Sequence, residues 1–188
     1  GHRVATLKAG GDGVFVCHVY FGKGDIMNPG LPLLKELFNV QTLYAATARF
    51  DDKGENIEVL GELTELEDLP VYFTGFADNA AQAISELPTV RHLSVSSTLI
   101  TDEGVAEFGK LKNLEYLSVG DTRVTDASLP ILGEMKKLRG LSVTKSQITL
   151  PAWEKFQQSH PGVTEKAYWD FNAGQIGAGV QGGVGGRQ

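Results

Sequence analysis

A single cysteine, Cys17, in 188 residues excludes an internal disulfide and leaves the redox compartment open. Basic residues are scarce, 17 Lys and Arg against 23 Asp and Glu, for a formal net charge of −6. A nucleic-acid binder needs a basic face to displace phosphate counterions, so nucleic acid is disfavoured as a partner. No run approaches the roughly 18 apolar residues of a membrane span. No apolar stretch of the kind an export signal carries follows Gly1. Gly1 is not an initiator methionine, which fits a start left by cleavage, so the missing signal says nothing about the compartment. Motifs of chemistry are missing too. Gly10-Gly11-Asp12-Gly13 is not followed by the Gly-Lys-Ser/Thr of a phosphate-binding loop, and Gly182 to Gly186 lacks the strand-to-helix setting of a dinucleotide site. His2, His18, His92 and His160 have no metal-ligand spacing. The acids from Asp51 to Asp68 lack the ligand order and turn glycine of a calcium loop. No metal, no cofactor and no enzymatic activity is expected.

What the chain does have is 41% hydrophobic residues and an internal repeat. Val90-Arg-His-Leu93-Ser-Val95 recurs as Leu114-Glu-Tyr-Leu117-Ser-Val119 and as Leu138-Arg-Gly-Leu141-Ser-Val143. Leu66-Glu-Asp-Leu69-Pro-Val71 stands in the same frame, so the starts at 66, 90, 114 and 138 step by 24 residues. Apolar residues at positions one, four and six of each unit predict a short strand with one buried face. Thr74, Thr98, Thr122 and Ser146 form a column of small hydroxyl residues suited to bonding turn backbone. Thr101-Asp102 and Thr125-Asp126 read as helix starts. Val105, Phe108 and Leu111 have the spacing of a helix that buries one side. No such unit can bury its core alone, so neighbours must stack.

Two earlier units are degenerate. Val40, Leu43 and Ala45 begin one, with Ile57, Leu60 and Leu63 as its helix and two residues inserted near 51–56. Val14, Cys17 and Val19 begin the first, with Leu31, Leu34 and Leu37 as its helix, which puts Cys17 in the column of Leu43, Leu69 and Leu93. Arg3–Gly10 is expected as a capping helix, and Val163–Trp169 as a capping strand. The expected layout is one domain over 1–171, with a cap at 1–12, repeats over 13–162 and a second cap at 163–171. A glycine-rich tail, 172–188, completes it. Pro151, Trp153 and Phe156 continue the last unit as its helix.

This pattern, L-x-x-L-x-L-x-x-T-x-(I/V)-T-D, resembles the leucine-rich repeats. It is nearest to short bacterial arrays and to the cysteine-containing or ribonuclease-inhibitor-like types. The resemblance implies an α/β solenoid of about six repeats, with parallel strands on a concave face and helices on a convex one. The chain departs from the family by carrying Thr or Ser where many repeats place Asn.

Strand residues alternate between core and concave face. The third, fifth and seventh positions of the units therefore project outward. The expected third column is Val16, Thr42, Asp68, His92, Tyr116, Gly140; the fifth holds His18, Tyr44, Pro70, Ser94; the seventh holds Tyr20, Tyr72, Ser96. Asp68, His92 and Ser94 suggest a catalytic triad, but an open sheet supplies neither an oxyanion hole nor shielding from water. Tyr20, Tyr44, Tyr72 and Tyr116, four of the five tyrosines, fall on this one face. Tyrosines anchor interfaces, since they bury much area at little entropic cost. The expectation is a recognition module that binds a protein or peptide through Tyr20, Tyr44, Asp68, Tyr72, His92 and Tyr116. A self-associating structural array is the alternative. Ile176, Val180 and Val184 give the tail sparse anchors for pairing with a sheet edge, its own or a second copy's.

Overall fold

The computed structural model describes residues 7–9, 15–20, 28–36, 40–45 and 55–165. Eight strands form one sheet in chain order: β1 (Leu7–Ala9), β2 (Phe15–Tyr20), β3 (Val40–Tyr44), β4 (Asp68–Pro70), β5 (His92–Ser94), β6 (Tyr116–Ser118), β7 (Gly140–Ser142) and β8 (Thr164–Glu165). From β2 onward every pairing is parallel. Helices α1 (Asp78–Ile84), α2 (Asp102–Phe108), α3 (Leu129–Glu134) and α4 (Leu150–Ser159) each return the chain to the next strand. The expected columns are the observed register: Leu69 pairs with Leu93, Leu93 with Leu117, and Leu117 with Leu141. These leucines are fully buried in one continuous core.

Two polar devices hold the units at constant spacing. Within a unit, the hydroxyls of Thr74, Thr98 and Thr122 donate to the carbonyls of Val71, Val95 and Val119 at 2.5, 2.5 and 2.6 Å. They close the turn after each strand and are buried. Between units, a carboxylate brackets the next helix start. Asp78 accepts from the Thr101 amide and hydroxyl, Asp102 from those of Thr125, and Asp126 from those of Thr149. Each threonine hydroxyl in turn caps its own helix by accepting from Glu103, Ala127 or Ala152 N–H.

Toward the chain's ends the structure departs from expectation in three respects. The N-terminal capping helix is, over its described part, strand β1, antiparallel to β2. A strand pairs the backbone groups that the first edge of the sheet would otherwise leave open. The first unit is also offset from its expected register. Cys17 pairs with Val40, a bulge follows, and Val19 instead of Cys17 takes the column of Leu43. The shift is two residues, one period of strand alternation. It moves His18 beside Thr42 and Tyr20 beside Tyr44. The helices of the first two units are 3-10 segments, Asn28–Glu36 and Ile57–Glu62. Pro32 stands inside the first of them, where it has no N–H to donate. In the second, Gly61 packs so closely that a Cβ would lie 2.4 Å from the Ala83 carbonyl oxygen. The capping strand is described at Thr164–Glu165; its remainder and the segment 172–188 lie outside the described residues. Among the described residues no helix is long and apolar enough to cross a membrane.

The Asp102 bracket yields a test. Burial raises its pKa, but the hydrogen bonds from Ser128 and Thr125 outweigh burial and hold the carboxyl below its ordinary value. The unfolded chain therefore takes up the proton first as pH falls. The stabilisation is complete above about pH 4 and is lost as pH drops through the folded-state pKa. Asp102→Ala is expected to cost about 1 kcal/mol at pH 7, the low end for lost hydrogen bonds because the site is only partly buried. Melting curves should show its deficit narrowing below about pH 4; a deficit constant with pH contradicts the bracket.

Candidate functional site

The concave face divides into a small-residue region and an aromatic end. In the first, Ser94, Ser118 and Ser142 stand in register on adjacent strands. Ser96 and Ser118 share a hydrogen bond of 2.5 Å between their hydroxyls. Asp68 and His92 are direct cross-strand neighbours, and His92 Nδ1 is hydrogen-bonded to Asp68 Oδ1. The His92 side chain is 5% exposed and that of Asp68 20%. The pair thus holds a buried imidazole in place, with only the carboxylate reaching the surface.

Tyr116 follows His92 in the same column and precedes Gly140. Its ring is fully buried, so this tyrosine and His92 offer a partner almost no surface. The structure therefore separates the six expected contact residues. Asp68, Tyr44 and Tyr72 keep accessible area, and Tyr20 is placed by backbone register next to Tyr44.

The aromatic end is built where β3 and β4 finish. Tyr44 sits opposite Pro70 by register, and its hydroxyl is hydrogen-bonded to that of Tyr72. Their rings meet edge to face with centroids 5.9 Å apart. Burial first, and then the Tyr44 hydrogen bond, push the Tyr72 phenol above the ordinary tyrosine range, so its proton stays on. Phe73 extends the cluster, 5.7 Å from Tyr72 at an interplanar angle of 78°. Such edge-to-face pairs add to the energy of simple burial.

Phe73 was not among the residues expected from sequence. It occupies the eighth position of its unit, beyond the strand alternation. The same position holds Ser97, Asp121 and Lys145, and all four residues adopt positive φ: 57°, 55°, 54° and 62°. The left-handed region is uncommon outside glycine, and for a bulky side chain it is a true outlier. Phe73 is moreover 62% exposed. A large aromatic is thus held in a strained conformation with most of its surface in water. The available signal was the column itself, in which one phenylalanine stands among small or polar turn residues.

The fold that carries this site is a leucine-rich-repeat solenoid. Its solved structural neighbours include an internalin of Listeria monocytogenes, inlF, with a TM-score of 0.57 and 18% identity. That match covers 69% of this chain and 35% of the internalin, so the chain spans about a third of its neighbour. A second neighbour, internalin C2 of the same organism, has a TM-score of 0.53 and 21% identity over 82% of this chain and 70% of its own. At these identities the likeness is one of fold. No family model and no curated protein matches the sequence.

Strain at Phe73 can be measured. Phe73→Asn places a residue tolerant of the left-handed region at φ 57°. Relief of about 1 kcal/mol is expected, which raises the melting temperature by about 2–4 °C in a chain of this size. A lower melting temperature would show that the ring contributes more to folding than its conformation costs.

Proposed function

We propose that the chain is a non-enzymatic recognition module that binds a protein or peptide on its concave sheet. The aromatic end, Tyr44, Tyr72 and Phe73, is the anchor. One observation carries this reading: Phe73 is a large apolar side chain, strained and 62% exposed, packed edge to face against the half-buried Tyr72. Backbone strain at an exposed residue points to function when folding does not reward it. Aromatic side chains with one polar tip are favoured anchors at interfaces, where the ring is covered and the hydroxyl keeps a hydrogen bond. Tyr20 lies beside Tyr44 by backbone register, and the partly exposed Asp68 carboxylate gives the aromatic end a polar border. The sheet beneath is rigid, so binding orders few groups, which limits the entropic cost of association.

Peptides selected from a displayed random library on the intact protein provide the test. Tyr72→Ala is expected to weaken the selected peptides by about 2 kcal/mol, or roughly 30-fold. Glu103→Ala, on the exposed side of α2, should leave them unchanged. Equal losses from the two substitutions, with both variants folded, would refute the assignment.

A further inference from the structure

The loops leading from helix to strand carry a charge reversal along the array. Three loop columns read Glu62, Glu86, Lys110, Glu134; Thr64, Pro88, Lys112, Lys136; and Glu65, Thr89, Asn113, Lys137. The N-terminal units are acidic or neutral there, whereas the fourth and fifth units gather four lysines in a chain of net charge −6. Lys110 is paired with Glu107 and Lys137 is hydrogen-bonded to Asn113 at 2.6 Å. Lys112 and Lys136 are exposed and make no ion pair among the described residues.

These lysines surround a shallow pocket of about 360 Å³. Met135 supplies its apolar surface over the buried Leu111 and Leu114, and Lys112, Lys136 and Lys137 stand at its rim, with Glu134 the one acid. The pocket arises from a break in the core pattern. Leu63, Leu87 and Leu111 are buried in the column that Met135 continues, yet Met135 is only partly buried. A methionine there presents an adaptable apolar side chain to whatever enters. The loop backbone is held as well, because Asn113 Nδ2 donates to the Pro88 carbonyl.

We propose that this pocket is a second binding site, for an acidic segment of another protein that inserts one apolar side chain between Lys112 and Lys136. The two exposed ammonium groups select carboxylates, and the partly exposed Met135, backed by Leu111 and Leu114, selects an aliphatic anchor over a bare anion. The site precedes β6 and β7, whereas the aromatic end follows β3 and β4. The two therefore lie at opposite edges of the sheet, and this proposal stands independently of the concave-face reading.

Fluorescence anisotropy with a labelled Gly-Asp-Glu-Leu-Glu-Asp-Gly peptide tests it on the full chain. The counterpart with Asn and Gln for the acids, and the one with Gly for Leu, should each bind at least about 5-fold more weakly. Lys112→Glu/Lys136→Glu should weaken the acidic peptide by about 10-fold or more, and added salt should weaken it progressively. Lys155→Glu on α4 and Phe73→Asn should leave its affinity unchanged. Both lysines are exposed, so an unaltered melting curve will certify the fold of the double variant. Equal affinity for the amide peptide, or for the double variant, overturns the proposal. So does a dimer in sedimentation that the double substitution abolishes while the peptide does not bind, for then a second copy is the occupant.

Discussion

No unit of this chain can bury its own strand leucine, and the rest of the structure follows from that constraint. Leu69, Leu93, Leu117 and Leu141 lie in register, each sealed by the units on either side. A stack of this kind requires every unit to have the same thickness and phase. The aspartate brackets meet that requirement. A carboxylate at the start of one helix accepts from the threonine that starts the next, so the helices advance in step with the strands. Gly104 shows how closely the parts fit, since a Cβ there would lie 2.4 Å from Asp78 Oδ1.

The repeat was legible because periodic burial writes itself into the sequence every 24 residues. The column of Thr74, Thr98 and Thr122 was legible for the same reason, and its hydroxyls do bond the turn backbone. What escaped lies at the N-terminal end of the described sheet. There β1 pairs antiparallel with β2, a strand where a helix was expected. The bulge after Cys17 then shifts the register by two residues. By backbone register His18 stands beside Thr42 and Tyr20 beside Tyr44, one period of the alternation away from their expected columns. The helices of the first two units are 3-10 segments, a distinction that apolar spacing does not report.

The candidate site was legible in part. Alternation places Tyr44, Tyr72, Asp68, His92 and Tyr116 on the concave side of their strands, but it carries no information on how deeply each is covered. Tyr116 and His92 are buried, and Tyr44 and Tyr72 are not fully so. Phe73 lies beyond the strand, where alternation does not apply and the backbone conformation decides where the side chain goes. The stack is uniform, and its irregularities lie at the two ends of the strands: an aromatic projection after β4, and a lysine-rimmed gap before β6 and β7. A regular array tolerates such departures because neighbouring units hold the backbone around them.

Native-state hydrogen exchange tests that interdependence most directly. The amides of Val71, Val95 and Val119 each donate to a carbonyl of the next strand, on Ser94, Ser118 and Ser142, all at 2.9 Å. If the units stand only as a stack, all three should exchange through one global opening with a shared free energy. Leu117→Ala, expected to cost about 2–5 kcal/mol, should then lower that free energy by the same amount at Val71 as at Val119. A loss confined to Val95 and Val119, with Val71 unchanged, would contradict the account.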